Sequence, residues 1–100
     1  MHCNKILKLL EVATYDTSVV FVGGIAKYFM NNKNINDVND IDIVVDNVEK
    51  LKQKYKLTYH KTDGAWFEIE DVAFDIFIKK LDEEIFVTII DGIKIKHTAC

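Results

Sequence analysis

One hundred residues, 49% hydrophobic and 29% charged, are enough for a single domain with one core and too few for a separate substrate domain. The formal charge is −3 and all 13 basic residues are lysines, which argues against broad phosphate-backbone binding and removes the arginine clamp common at phosphates. The longest apolar stretch, residues 19–26, is broken by glycines and falls far short of a membrane span. Residues 1–5 lack the pattern of a secretory leader, so a cytoplasmic location without a membrane partner is expected. Cys3 and Cys100 have no metal-type spacing and are expected as free thiols in a reducing compartment.

Residues 4–14 place Ile6, Leu9, Leu10 and Ala13 on one face of an amphipathic helix. Residues 18–22 read as a buried strand rich in β-branched and aromatic side chains. Gly23-Gly24 then turns the chain into a second helix over 25–32, with Ala26, Phe29 and Met30 toward the core. Residues 31–39 are polar and turn-prone. A second strand spans 40–46, and Asn47 is placed to cap a lysine-rich helix over 48–55. Strands follow at 56–62, 65–70 and 72–79, the first two joined by Asp63-Gly64 as a hairpin signal. Residues 81–84 break the pattern; 86–90, Asp91-Gly92 and 93–96 read as a final hairpin. The expected fold class is α+β: a mixed β-sheet with helices packed on it, one domain over residues 1–100.

Chemistry concentrates at three places. A strand ending in Gly23-Gly24 and feeding a helix presents backbone N–H groups where a phosphate can approach; the plainer alternative is a tight turn with no ligand. Asp40 and Asp42 are two apart on a strand, so their carboxylates share a face while Ile41, Ile43 and Val45 point to the core. Asp75 lies in the apolar run Val72-Ala73-Phe74-Asp75-Ile76-Phe77-Ile78, where its plainer reading is an edge-strand residue facing water. If that strand pairs beside the Asp40–Asp42 strand, three carboxylates converge. Such a set suits Mg²⁺, which keeps waters and takes phosphate oxygens as further ligands. Two ions about 3.5–4 Å apart would clamp the attacking and leaving oxygens of an in-line phosphoryl displacement.

Taken in order, Val22-Gly23-Gly24, Asp40-Ile41-Asp42-Ile43 and Phe74-Asp75-Ile76 resemble the signature of the nucleotidyltransferase superfamily, the DNA polymerase β-like fold, in its minimal form. The resemblance runs over residues 18–79. It implies a nucleotidyltransferase-like sheet in which Asp40 and Asp42 hold two Mg²⁺ ions, with Mn²⁺ as an alternative. Asp75 would complete that site and help activate the acceptor hydroxyl. Gly23 and Gly24 would leave room for nucleotide phosphates, and Asn39 would orient Asp40 or touch a phosphate. The implied reaction moves a nucleoside monophosphate from an NTP, ATP first among the candidates, to a hydroxyl, with release of pyrophosphate. The acceptor stays open among RNA, a protein and a small molecule. Relatives commonly add a helical acceptor-binding region, so a helical protein partner is one expectation. The alternative is a non-catalytic module of the same fold, an antitoxin-like or regulatory partner-binding subunit.

Other residues read more plainly. His2, His60 and His97 have no mutual metal-type spacing, and each is expected as a surface or otherwise satisfied residue. Tyr59, Trp66 and Phe67 are expected to pack in the core, with base stacking as the functional alternative. Lys50, Lys52, Lys54 and Lys56 read as a solvated helix face, and Lys33 is the basic residue of the 31–39 loop.

Overall fold

Alternation along the strands sends Phe21, Ile41, Ile43, Ala65, Phe67, Phe74 and Ile76 to one face, and the helices gather on that face. The computed structural model describes residues 2–31, 33–61, 63–80, 87–90 and 93–96, with side chains at 5–31, 33–60 and 63–80. Its elements are α1 (His2–Tyr15), β1 (Val20–Val22), α2 (Gly23–Phe29), a 3-10 turn (Ile35–Asp37), β2 (Ile41–Val45) and α3 (Glu49–Lys52). The strands β3 (Thr58–Lys61), β4 (Gly64–Ile69), β5 (Val72–Ile78), β6 (Val87–Ile90) and β7 (Ile93–Lys96) follow. The sheet order is β3-β4-β5-β2-β1-β7-β6. It is mixed: β2 runs parallel to β5 and β1 parallel to β7, while the remaining neighbours are antiparallel. The α+β expectation therefore holds. Asp91-Gly92, the 81–84 break, His97 and Cys100 lie outside the described residues.

One apolar cluster joins Leu9 and Val12 of α1, Ile25 and Ala26 of α2 and Leu51 of α3 to Phe21, Ile41, Ile43, Val45, Ala65, Phe67, Phe74 and Ile76 of the sheet. All three helices thus cover the same face. Phe67 stacks on Phe74 with ring centroids 4.9 Å apart and on Tyr55 at 4.6 Å, and Tyr55 meets Tyr15 edge-on at 5.9 Å. This ladder ties the ends of α1 and α3 to the middle of the sheet. Burial pushes the Tyr55 phenol up to about 12, so its hydroxyl stays protonated and donates to Glu11.

Several boundaries differ from the sequence expectation for local reasons. The Asp16 carboxylate accepts from both the backbone N–H and the hydroxyl of Ser18, a turn that delays β1 to Val20. Helix α2 starts at Gly23 and stops at Phe29, because Asn31 takes a left-handed conformation (φ 64°) soon after it. Helix α3 covers only Glu49–Lys52 of the expected 48–55, its N-cap position is Val48, and Asn47 stands one residue earlier, accepting from the Glu49 N–H at 3.1 Å. Gly64 belongs to β4, opposite Lys61, rather than to the turn. On α1 the fully buried positions are Leu9 and Val12, while Leu10 is 38% exposed and Leu7 61%.

Candidate metal centre

The parallel pairing of β2 with β5 sets Asp42 opposite Asp75. On the other side of β2, antiparallel β1 ends with Val22 opposite Asp42, so the chain leaves the sheet at Gly23 directly over that carboxylate. Gly23 has φ +66°, and a Cβ built there would lie 2.3 Å from Asp42 Oδ2. No side chain fits that space, and the backbone conformation itself favours glycine. Gly24 is different: the nearest atoms to its Cβ would be those of the Lys33 side chain, with Nζ at 3.4 Å. Lys33, whose place the sequence left open, therefore reaches back over the glycine turn.

Asp42, Val44, Asp75, Phe77 and Trp66 share the face opposite the helices, as their registers require. Val44 and its partner Val20 are buried on that face, next to the row that holds Asp42. This apolar neighbourhood has an electrostatic consequence. Burial pushes the Asp42 carboxyl above the ordinary aspartate value; the charges of Asp75 and then Asp40 push it further, and Lys33 opposes them. Two carboxylates held side by side, one partly desolvated, form a local negative charge that Lys33 offsets only in part, since the Asp42 carboxyl stays raised.

The structure brings Asp42 and Asp75 together in register and keeps Asp40 close enough for its charge to act on Asp42. Asp40 sits one residue before β2, exposed, and Asn39 is exposed in the segment leading into it. Among the described residues, no three carboxylate, imidazole or thiol groups gather into a ready-made metal cage. The pair nonetheless fits Mg²⁺, which takes one or two protein carboxylates and completes its shell with water and substrate phosphate rather than a full protein cage. Asp42 and Asp75 would hold the ion, with Asp40 adding charge or a further oxygen.

His60 is exposed, as expected, and its Nε2 lies 3.5 Å from Asp75 Oδ1. No sequence spacing links residues 60 and 75; they meet because β3, β4 and β5 fold as consecutive antiparallel neighbours. Trp66 and Phe67, grouped together in the sequence, separate by alternation: Phe67 is buried and Trp66 is 39% exposed beside Asp75. Comparison with known proteins finds no matching family model, no matching curated protein and no matching solved structure.

Two outcomes follow from this geometry. Gly23→Ala is expected to cost about 1–3 kcal/mol, from the left-handed backbone and the clash with Asp42. Gly24→Ala should leave the urea midpoint nearly unchanged, because the flexible Lys33 tip can move aside. Equal losses in the two variants would contradict the assignment of the close approach to Gly23.

The second outcome concerns pH. A carboxyl whose folded pKa is raised binds more protons in the native than in the unfolded state, so its contribution to stability falls as pH rises through that window. In metal-free buffer, Asp42→Asn should therefore melt no lower than the wild type at pH 7, with the difference shrinking as pH falls toward the unfolded aspartate value. Thermal melts between pH 3 and 7 check this; a variant markedly less stable at pH 7 would show that the carboxylate is a structural tie.

Proposed function

We propose that this chain is a metal-dependent nucleotidyltransferase domain of the nucleotidyltransferase-like fold. It would transfer a nucleoside monophosphate from an NTP, ATP first, to a hydroxyl of RNA, protein or a small molecule. The observation that carries the reading is the register of Asp42 with Asp75 beneath Gly23, where the backbone passes too close to Asp42 for a side chain. Further support comes from the order of the motif residues along the chain and from Lys33 at the same turn.

In this reading Asp42 and Asp75, aided by Asp40, position divalent metal, with Mg²⁺ first and Mn²⁺ as an alternative. A divalent ion held by Asp42 and Asp75 would supply positive charge to the phosphate oxygens. Gly23 lets the backbone pass directly over the Asp42 carboxylate, and the Lys33 ammonium beside Gly24 offsets the charge of the phosphate chain. The acceptor oxygen forms a bond to the α-phosphorus, the bond to pyrophosphate breaks, and Asp75 takes the hydroxyl proton. His60, beside Asp75, helps to hold that carboxylate in place.

A second reading, a non-catalytic partner-binding subunit, is favoured by one observation: Leu7 and Leu10 stand exposed on α1, where Leu10 lines a shallow groove with Thr14, Tyr15 and Lys54. Calorimetric titration of the four NTPs with Mg²⁺ separates the two. The enzymatic reading predicts metal-dependent binding by the wild type that falls at least about tenfold in Asp42→Asn, equivalent to about 1.4 kcal/mol or more. Absence of binding by the folded wild type would overturn it and leave the partner-binding reading in its place.

A further inference from the structure

Across the sheet face opposite the helices the in-register row reads Val22, Asp42, Asp75, Trp66 and Thr58, one residue from each of β1, β2, β5, β4 and β3. The acidic pair is thus flanked asymmetrically. On the β1 side stand the glycine turn and the Lys33 ammonium. On the β4 side stands Trp66, an indole left 39% exposed in the middle of a strand whose neighbours Ala65 and Phe67 are fully buried. His60 adds a second planar group there, against Asp75.

We infer that Trp66 is the platform on which the base of the donor nucleotide stacks. The inference rests on the nucleotidyltransferase reading above and extends it to the part of the substrate that the acidic pair does not touch. A nucleotide has one polyanionic end and one flat, apolar end, joined through ribose. With its α-phosphate at Asp42 and Asp75, the triphosphate tail runs toward the cationic flank, where the Lys33 ammonium lies over Gly24. The base then falls on the opposite flank. Adjacent strands lie about 4.8 Å apart, so Trp66 stands one strand beyond Asp75 and about two from Asp42, the separation a ribose has to bridge. Stacking on an indole reads the π-face that every base possesses and no base edge in particular. The site is therefore expected to accept all four NTPs with a modest order set by stacking strength, purines ahead of pyrimidines.

Trp66 is the single tryptophan of the chain, so its fluorescence reports the contact directly. The probes are Mg·ATP, Mg·GTP, Mg·UTP and Mg·tripolyphosphate, the last carrying the anionic tail without a base. NTPs should quench the emission, and tripolyphosphate should bind without quenching. By calorimetry, Trp66→Leu should weaken NTP binding by about 5- to 150-fold while leaving tripolyphosphate affinity unchanged. Trp66→Phe, which retains a ring, should keep most of the NTP affinity. It also decides the matter with the wild-type quench if the leucine variant does not fold.

NTP binding with unaltered emission, or equal NTP affinity in the wild type and the leucine variant, would overturn the assignment of Trp66. Quenching by a short oligoribonucleotide and not by NTPs would overturn it too, giving the platform to the acceptor instead. Failure of NTPs and tripolyphosphate alike to bind the folded wild type with Mg²⁺ is a different result, which defeats the underlying site and this inference with it.

Discussion

Parallel pairing of β2 with β5 places two carboxylates side by side, and much of the molecule follows from the register of that pair. The same register faces Ile41, Ile43, Phe74 and Ile76 into the core. Side chains alternate along a strand, so a slip of one residue would turn Asp42 or Asp75 toward the helices and expose part of the cluster that holds the fold together. Core packing therefore fixes the position of the acidic pair, even though the pair itself opposes folding through repulsion and partial burial. The β2–β5 contact also joins the first half of the chain, α1 to β2, to the meander of β3, β4 and β5.

That arrangement is a local conflict inside an otherwise consistent structure. Strands are rich in β-branched and aromatic residues, turns carry Asp, Asn and Gly, and the helices bury one face each. Asp42 breaks the pattern, and Gly23 accommodates it with a left-handed backbone and no side chain. Conflicts of this kind concentrate at functional sites, where a ligand supplies what the fold leaves out. A divalent cation would supply it here: it removes the repulsion, tolerates a pair of protein oxygens and leaves coordination positions for phosphate.

The sequence carried the fold class and the acidic strand residues because both rest on short-range patterns. Period-2 alternation in residues 41–45 and 72–78 names the faces of Asp42 and Asp75 directly. What it could not carry were relations set by strand neighbours. The placement of β5 beside β2, the approach of His60 to Asp75 and the reach of Lys33 over Gly24 join residues 15 to 33 positions apart or across a loop, with no local signature. The buried face of α1 was misjudged by one position in the stripe, Leu10 for Val12, because both choices satisfy helical spacing and only the sheet beneath decides between them. Trp66 and Phe67 show the same limit: adjacent aromatics look alike in sequence and face opposite ways in a strand.

The central claim is that Asp42 and Asp75 together hold a divalent cation. Paramagnetic line broadening of backbone amide resonances by substoichiometric Mn²⁺ tests it most directly, since the effect falls steeply with distance from the ion. The account predicts broadening centred on Asp42, Asp75 and Gly23 and their strand neighbours, with α1 and α3, on the far side of the sheet, least affected. Broadening centred instead on exposed acidic residues such as Glu49 or Glu70, with Asp42 and Asp75 unaffected, would contradict it.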